Sequence, residues 1–284
     1  GTNLVLDPLF IFALGLGVRG AAIATVISQC LSAAFVLFFL TKKSELKLRF
    51  LHKNEIPECT GHAKNILSLG AAGFIMQLTN SLVTICCNNV LSVTGGDVYI
   101  SVMTIISSVR QMVETPIYAI TEGSSPIISY NYGAGNSNRV RRAYRLLLIC
   151  SVCYAMLFCL LIQLFPGVFA AIFTSNAELL AFTKPMLRIY TLALGLFGIQ
   201  IACQMTFTAL GNAKASIIVA VMRKFILLLP LIYMMPHLYT ADLTKAVFMA
   251  EPVADVLAVA FTGVLFFFEF RKALRAMPKS EKKS

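Results

Sequence analysis

The ionisable side chains that fall inside long apolar runs of this chain are Asp7, Glu114, Glu122, Glu251 and Asp255, with Arg110 and Arg188 as the cations available to pair with them. A charge at the centre of a membrane helix costs about 2.5–3.5 kcal/mol even on the gentler insertion scale, so each needs a partner, a wet cavity or a use. Asp7 has neighbours suited to ion chemistry. Asn3 lies one helical turn before it on the same face. Thr25 follows Gly17 by the interval that separates Asp7 from Gly15, which at 1.5 Å per residue puts both about 12 Å from the intervening turn. A carboxylate, an amide and a hydroxyl at one level are the ligand set of a Na⁺ ion or a transferable proton. A second reading stays open, in which Asp7 caps a local break at Pro8 while Asn3 and Thr25 bond to backbone.

The other acids also carry two readings each. Glu114 follows Arg110 by four residues, so an intrahelical ion pair can neutralise it. Glu122 lies nearer a membrane surface, where water can reach it. Glu251 and Asp255, four apart with Pro252 between them, share a helix face that holds no Lys or Arg in the same turn; they either line a wet cavity attractive to cations or serve structure. Tyr130, Tyr132 and Tyr190 with the many Phe and Met residues form either an aromatic drug pocket or ordinary packing. No Ser-His-Asp, HExxH, P-loop or GxSxG pattern occurs, so neither an enzyme nor a bound cofactor is expected.

The elements that must hold these groups are membrane helices. Of the 284 residues 58% are hydrophobic and 13% charged, and several uncharged runs approach the roughly 20 residues that span a bilayer. The expected fold is all-α, a polytopic membrane helical bundle of about seven complete transmembrane helices plus the end of an eighth. The segments read as a helix end over 1–16, spans over 20–40, 66–93, 98–132, 146–173, 179–210, 215–235 and 244–270, and turns at Thr94-Gly95-Gly96-Asp97 and Gly211-Asn212-Ala213-Lys214. Pro116 and Pro126 should bend the long central helix, unless its end projects into water.

Composition shifts at 42–64, where Lys residues cluster around Pro57, and this is taken as an aqueous linker between an end-piece (1–41) and a larger domain (65–272), followed by a basic tail (273–284). A second basic loop is expected at Arg139, Arg141, Arg142 and Arg145. Despite the net charge of +11, no basic, aromatic-laced soluble face exists to bind nucleic acid. The cations fall in alternate loops and set topology, with linker, arginine loop and C-terminus cytoplasmic and the protein in the cytoplasmic (inner) membrane. The eight cysteines lie almost entirely in apolar runs and read as buried thiols, the Cys150–Cys153 pair lacking the second pair a metal site would need. The chain starts with Gly1 inside an apolar segment, so the start of a longer protein is expected to precede it.

The stretch Asn3-Leu4-Val5-Leu6-Asp7-Pro8-Leu9-Phe10-Ile11-Phe12 with Gly17-Val18-Arg19-Gly20-Ala21-Ala22-Ile23-Ala24-Thr25 resembles the fifth and sixth helices of the multidrug and toxic compound extrusion (MATE) family. GSSPIISYNYGAGNSNRV from Gly123 to Val140 resembles the end of that family's eighth helix, and ALGNAKAS near Ala209 and the arginine plus LLLP that follow also fit. The resemblance implies two six-helix lobes, alternating access driven by Na⁺ or H⁺, and organic cations as substrates. This chain would hold the end of helix five, helix six and the second lobe, acting as a monomer in the lipid bilayer. Asn3, Asp7 and Thr25 match the first-lobe ion site. The norfloxacin-pump-like branch carries acids where this chain has Asn80 and Gly211-Asn212-Ala213, which favours coupling through Asp7. Two alternatives stand: a lipid-linked precursor flippase of the same superfamily, against which the scarcity of buried Lys or Arg argues, and a non-transporting scaffold or decayed remnant.

Overall fold

The computed structural model describes residues 1–43 and 56–277, and between 56 and 76 it describes side chains only at Ala63, Leu67 and Phe74. Everything regular among these residues is helical. The chain divides into two compact units, Gly1–Asn65 and Ile66–Ser284.

In the first unit α1 (Thr2–Pro8) runs directly into a π-helical segment, Leu9–Ala13, and α2 (Gly17–Lys42) returns alongside. Pro8 has no N–H to give to the turn before it, and the widened turns begin immediately after it, closed by a bond from Leu14 N to the Leu9 carbonyl at 3.0 Å. The chain reverses at Gly15 (φ 62°) and Gly17 (φ 52°), a left-handed conformation that only glycine adopts freely. Gly20 lies so close to α1's continuation that a Cβ there would sit 2.7 Å from the Phe10 carbonyl oxygen. Small residues thus let the two arms touch backbone to backbone.

The second unit takes in most of α3 (Ile56–Gly133), from Ile66 onward, and Gly96 (φ 74°, ψ −171°) divides this helix into two arms. This break falls within the predicted Thr94–Asp97 turn. Val83, Cys87 and Leu91 of the first arm and Val102, Ile106 and Val109 of the second share one core with Leu187, Leu194, Ile201, Ile232 and Phe248. The second arm keeps helical dihedrals through Pro116 and Pro126, so neither proline breaks it. Part of the predicted linker is therefore helix, since α3 starts at Ile56; residues 44–55 of that linker and 278–284 of the predicted tail lie outside the described residues.

The helix α4 (Ser137–Leu164) starts before the four arginines expected in a loop and contains them all. Arginine is a good helix former, and its long stem lets the charge reach water from a helix end, so a cationic cluster does not mark a loop here. After α5 (Pro166–Ala171) come α6 (Ala177–Tyr190), capped by Asn176, and α7 (Leu194–Ala209). The sequence reads these as one span; they bend by 54° at 191–193. Helix α4 directs donors at carbonyls around the bend: Gln163 Nε2 donates to Arg188 O at 2.8 Å, and Cys159 Sγ donates at 3.4 Å to Thr191 O, which also accepts from Leu194 N at 3.0 Å. Such side-chain donors make a broken helix tolerable in hydrocarbon.

Helices α4 and α7 are in close contact at Gly198, where an added Cβ would lie 2.7 Å from the Ser151 carbonyl oxygen. Gly198→Ala should therefore force the helices apart and cost about 1–3 kcal/mol, the usual range for overpacking. The check is the melting temperature of the purified protein; an unchanged value would mean the contact is slack.

The next crossing joins α8 (Ala213–Val221), a second π segment (Met222–Leu228) and α9 (Leu229–Leu238), with Pro230 in the first turn of α9. A proline ring clashes with the carbonyl four residues earlier, and here that position lies inside the widened segment. The helix α10 (Leu243–Ala276) closes the unit and runs four residues beyond the predicted domain end. Asp242 caps it by accepting from Lys245 N at 3.0 Å, and that bond holds its carboxyl below the usual range.

Five of these elements are long and apolar enough to cross a membrane, or six with the α6–α7 pair as one span, and Thr2–Ala13 is a shorter apolar helix. The sequence reading of about seven spans counts the arms of α3 separately. The chain is an all-α, multi-pass membrane protein.

Candidate functional site

The two arginines and three carboxylates that meet in the second unit come from three elements. The second arm of α3 presents Arg110 and Glu114 one turn apart, and Arg110 Nε donates to Glu114 Oε1. Helix α10 presents Glu251 and Asp255 one turn apart. The π segment presents Arg223, whose position along the crossing is shifted by the widened turns, a geometry often found at functional positions.

Asp255 bridges both cations: its Oδ1 accepts from Arg223 Nε at 2.8 Å and its Oδ2 from Arg110 NH2 at 3.0 Å. Glu251 also bridges both through Oε1, which accepts from Arg223 NH2 at 2.8 Å and lies in ion-pair contact 2.9 Å from Arg110 NH1. The side chains of Arg110, Arg223, Glu251 and Asp255 are only 8%, 7%, 5% and 1% exposed. At that depth ionised groups persist only when paired and hydrogen-bonded. The ring of Phe197 receives both guanidinium groups, at 4.9 Å from Arg110 and 4.3 Å from Arg223. Aromatic faces attract cations most strongly when water is excluded.

This cluster forms one wall of a cavity of about 470 Å³ whose lining includes Asn80, Ser107, Gln111, Tyr118 and Lys224. Three of its acids balance two arginines, and Lys224, next to Arg223 in sequence, supplies a third positive charge. The site is thus dense in charge yet formally neutral.

Where the structure places the sequence-derived candidates differs from one to the next. Glu114 pairs with Arg110, as its spacing suggests, and lines the cavity together with Glu251. Asp255 is buried behind the cavity wall and does not line it, because both its oxygens face arginines. Glu122 is exposed and borders none of the described cavities. Glu251 and Asp255 have no cation in their own turn, as the sequence reads, and their partners come from α3 and the π segment: Arg110, one of the two cations named from sequence, and Arg223, which was not. Arg188 is not one of them, since its Nε donates to the Gln163 carbonyl at 3.1 Å. Two buried arginines also remove the argument against a flippase that rested on a lack of buried cations. Tyr190 lines the cavity, 5.5 Å from the Arg110 guanidinium, whereas Tyr130 is exposed and Tyr132 borders a different cavity.

In the first unit the Asn3 amide donates to Asp7 Oδ1 at 3.2 Å and lies 3.4 Å from Thr25 Oγ1, whose hydroxyl donates to Ala21 O at 2.9 Å. The three side chains meet, with Asp7 half-buried and Thr25 exposed. Asp7, the Asn3 carbonyl oxygen and Thr25 Oγ1 offer hard oxygen ligands that suit Na⁺, and the carboxylate alone suits a proton. No group of three or more His, Cys, Asp and Glu positioned for a metal occurs among the described residues.

Comparison with known proteins adds three findings. A family model described as MatE matches residues 72–234. Multidrug export protein MepA of Staphylococcus haemolyticus is 25% identical over 261 residues, covering 91% of this chain and 56% of that protein. The probable multidrug resistance protein NorM of Thermotoga maritima is 25% identical over 288 residues, covering 99% of this chain and 60% of that protein. The chain therefore spans less than two thirds of the length of either relative. Among solved structures, a crystal structure of MATE in complex with MaL6 superposes with a TM-score of 0.84 at 22% identity, covering 97% of this chain and 62% of that one, which shows a shared fold.

Proposed function

The chain belongs to the MatE family, and from that premise we propose that it is the greater part of an ion-coupled antiporter that exports organic cations or related drugs across the cytoplasmic membrane. The observation that carries this reading is the charged, aromatic-edged cavity of about 470 Å³ held open inside an otherwise apolar helical unit. Burying so many ionised groups costs stability that a purely structural bundle could avoid with apolar side chains. Relatives named for multidrug export support the drug-export part of the reading.

Coupling is assigned to Asp7 with Asn3 and Thr25. Binding of H⁺ or Na⁺ there neutralises a half-buried carboxylate, and its release must be linked to a change of access. Glu114 and Glu251 line the substrate cavity, and Asp255 holds the two arginines that hold Glu251 in place. Clustered cations in the linker and at the C-terminus orient both toward the cytoplasm. A lipid-linked precursor flippase would use the cations of the same cavity, but the matching number of carboxylates favours a small polar substrate over a polyanion.

The test is expression of the full-length gene product in a host lacking its own pumps. Steady-state accumulation of a fluorescent cationic dye should fall several-fold and recover when ionophores collapse the H⁺ and Na⁺ gradients. Unchanged accumulation, with the protein present in the membrane, would contradict export.

A further inference from the structure

Away from the charge cluster, a second cavity of about 510 Å³ opens where the turn between α7 and α8 meets the last turns of α10. Lys214, Lys272 and Glu269 are the charged side chains that line it. Glu269 is tied to the turn: its Oε2 accepts from Asn212 Nδ2 at 3.0 Å, while Asn212 Oδ1 caps α8 by accepting from Ala215 N at 3.1 Å. Neither lysine takes part in any of the described ion pairs, although an acid lines the same cavity. Two lysines against one carboxylate leave the cavity with an excess positive charge.

Beside these charges the lining turns apolar, with Phe207, Leu210 and Ala215 buried. The same change runs along both helices. Ile218 lies one turn after Lys214 on the same face of α8, and Phe268 and Leu265 lie one and two turns before Lys272 on the same face of α10. In each case the apolar residues are on the side that leads into the span. Ile218 is 49% and Phe268 64% exposed, so a strip of apolar surface continues from the cavity.

The level of the lysines fits a headgroup region. The interval from Lys245 to Lys272 along α10 is about 40 Å at 1.5 Å per residue, close to the roughly 40–45 Å of a bilayer with its headgroups. A small inorganic anion would meet the lysines but leave the apolar strip uncovered. A lipid with one phosphodiester charge balances the excess and covers the strip with its chains.

We propose that this cavity is a binding site for an anionic phospholipid, with the headgroup phosphate at Lys214 and Lys272 and the acyl chains along the faces of Ile218 and Phe268. On the topology proposed above, the lipid belongs to the cytoplasmic leaflet, whose anionic lipids attract basic residues. It joins the start of α8 to the end of α10. The site does not depend on what the protein exports.

Phosphatidylglycerol and phosphatidylcholine with the same acyl chains supply the matched pair, since they share the phosphodiester and differ in net charge. The full-length gene product, stripped of lipid in a nonionic detergent and immobilised by a tag, is incubated with radiolabelled phosphatidylglycerol and read by scintillation proximity. Unlabelled phosphatidylglycerol should displace the label at a concentration at least about tenfold lower than phosphatidylcholine, the combined effect of two lysines. Millimolar inorganic phosphate should not displace it. Lys214→Gln with Lys272→Gln should lose the specific signal, and Lys214→Arg with Lys272→Arg should keep it. Arg139→Gln with Arg141→Gln removes the same charge from exposed positions of α4 outside the described cavities and should keep it too. Gel filtration and melting temperature confirm that each variant is folded. Equal displacement by the two lipids, displacement by phosphate, a signal that survives in the double glutamine variant, an equal loss in the arginine control, or no specific signal from the folded parent would each overturn the proposal.

Discussion

Replacing Arg223 with Met is expected to destabilise the protein by roughly 3–5 kcal/mol, the cost of breaking a buried ion pair by removing one partner. Arg223 contacts Glu251 at 2.8 Å and Asp255 at 2.6 Å. Without it, two carboxylates that are almost wholly enclosed share Arg110 alone, and Glu114 already draws on that guanidinium. Met fills much of the same volume, so lost packing contributes little and the charge accounts for the effect. Neutralising an acid in the same protein, as in Arg223→Met with Asp255→Asn, should recover a substantial part of the loss, because residues within one network couple strongly. Thermal unfolding of the single and double variants in detergent measures both. A single variant that melts with the parent, or a double variant less stable than the sum of its singles, would show that Arg223 does not carry this charge.

The second large effect is expected at Asp7. In the full-length gene product, Asp7→Asn should abolish gradient-driven export while leaving membrane insertion intact. Asparagine preserves the shape and can still accept from the Asn3 amide, which lies 3.2 Å from Asp7 Oδ1 and 3.4 Å from Thr25 Oγ1. It cannot take up a proton or lend a full negative charge to Na⁺. Export in Asp7→Asn vesicles that responds to an imposed gradient as the parent does would remove Asp7 from the coupling step.

Much of the helical framework is legible in the sequence because its punctuation is local. Gly15, Gly17, Gly96, Gly135 and Gly211 all have positive φ and stand where apolar runs end. The features that escape are those whose cause lies in another part of the chain. The bend at 191–193 carries neither Gly nor Pro; it is held open by Gln163 and Cys159 of α4, which no periodicity within α6 and α7 can report. The arginines of α4 look like a loop because charge density alone does not separate a loop from a helix end.

The candidate site divides the same way. Arg110 and Glu114 are neighbours in one helix, so their pairing follows from spacing. The partners of Glu251 and Asp255 lie 145 and 32 residues from Asp255 in sequence, at Arg110 and Arg223. One available signal was that Arg223 stands in an apolar crossing ahead of Pro230, where an unpaired guanidinium would be costly and a widened turn could aim it inward. The meeting of Asn3, Asp7 and Thr25 was accessible because a short hairpin with a known turn fixes which levels face each other.

The proposed function has an ion gradient drive transport by the full-length gene product. The most direct measurement is dye uptake into inside-out vesicles containing the full-length gene product, with Na⁺ and pH gradients imposed separately. At least one gradient should drive concentrative uptake, and reversing it should drive release. Uptake of equal rate and extent with both gradients absent would contradict ion-coupled export.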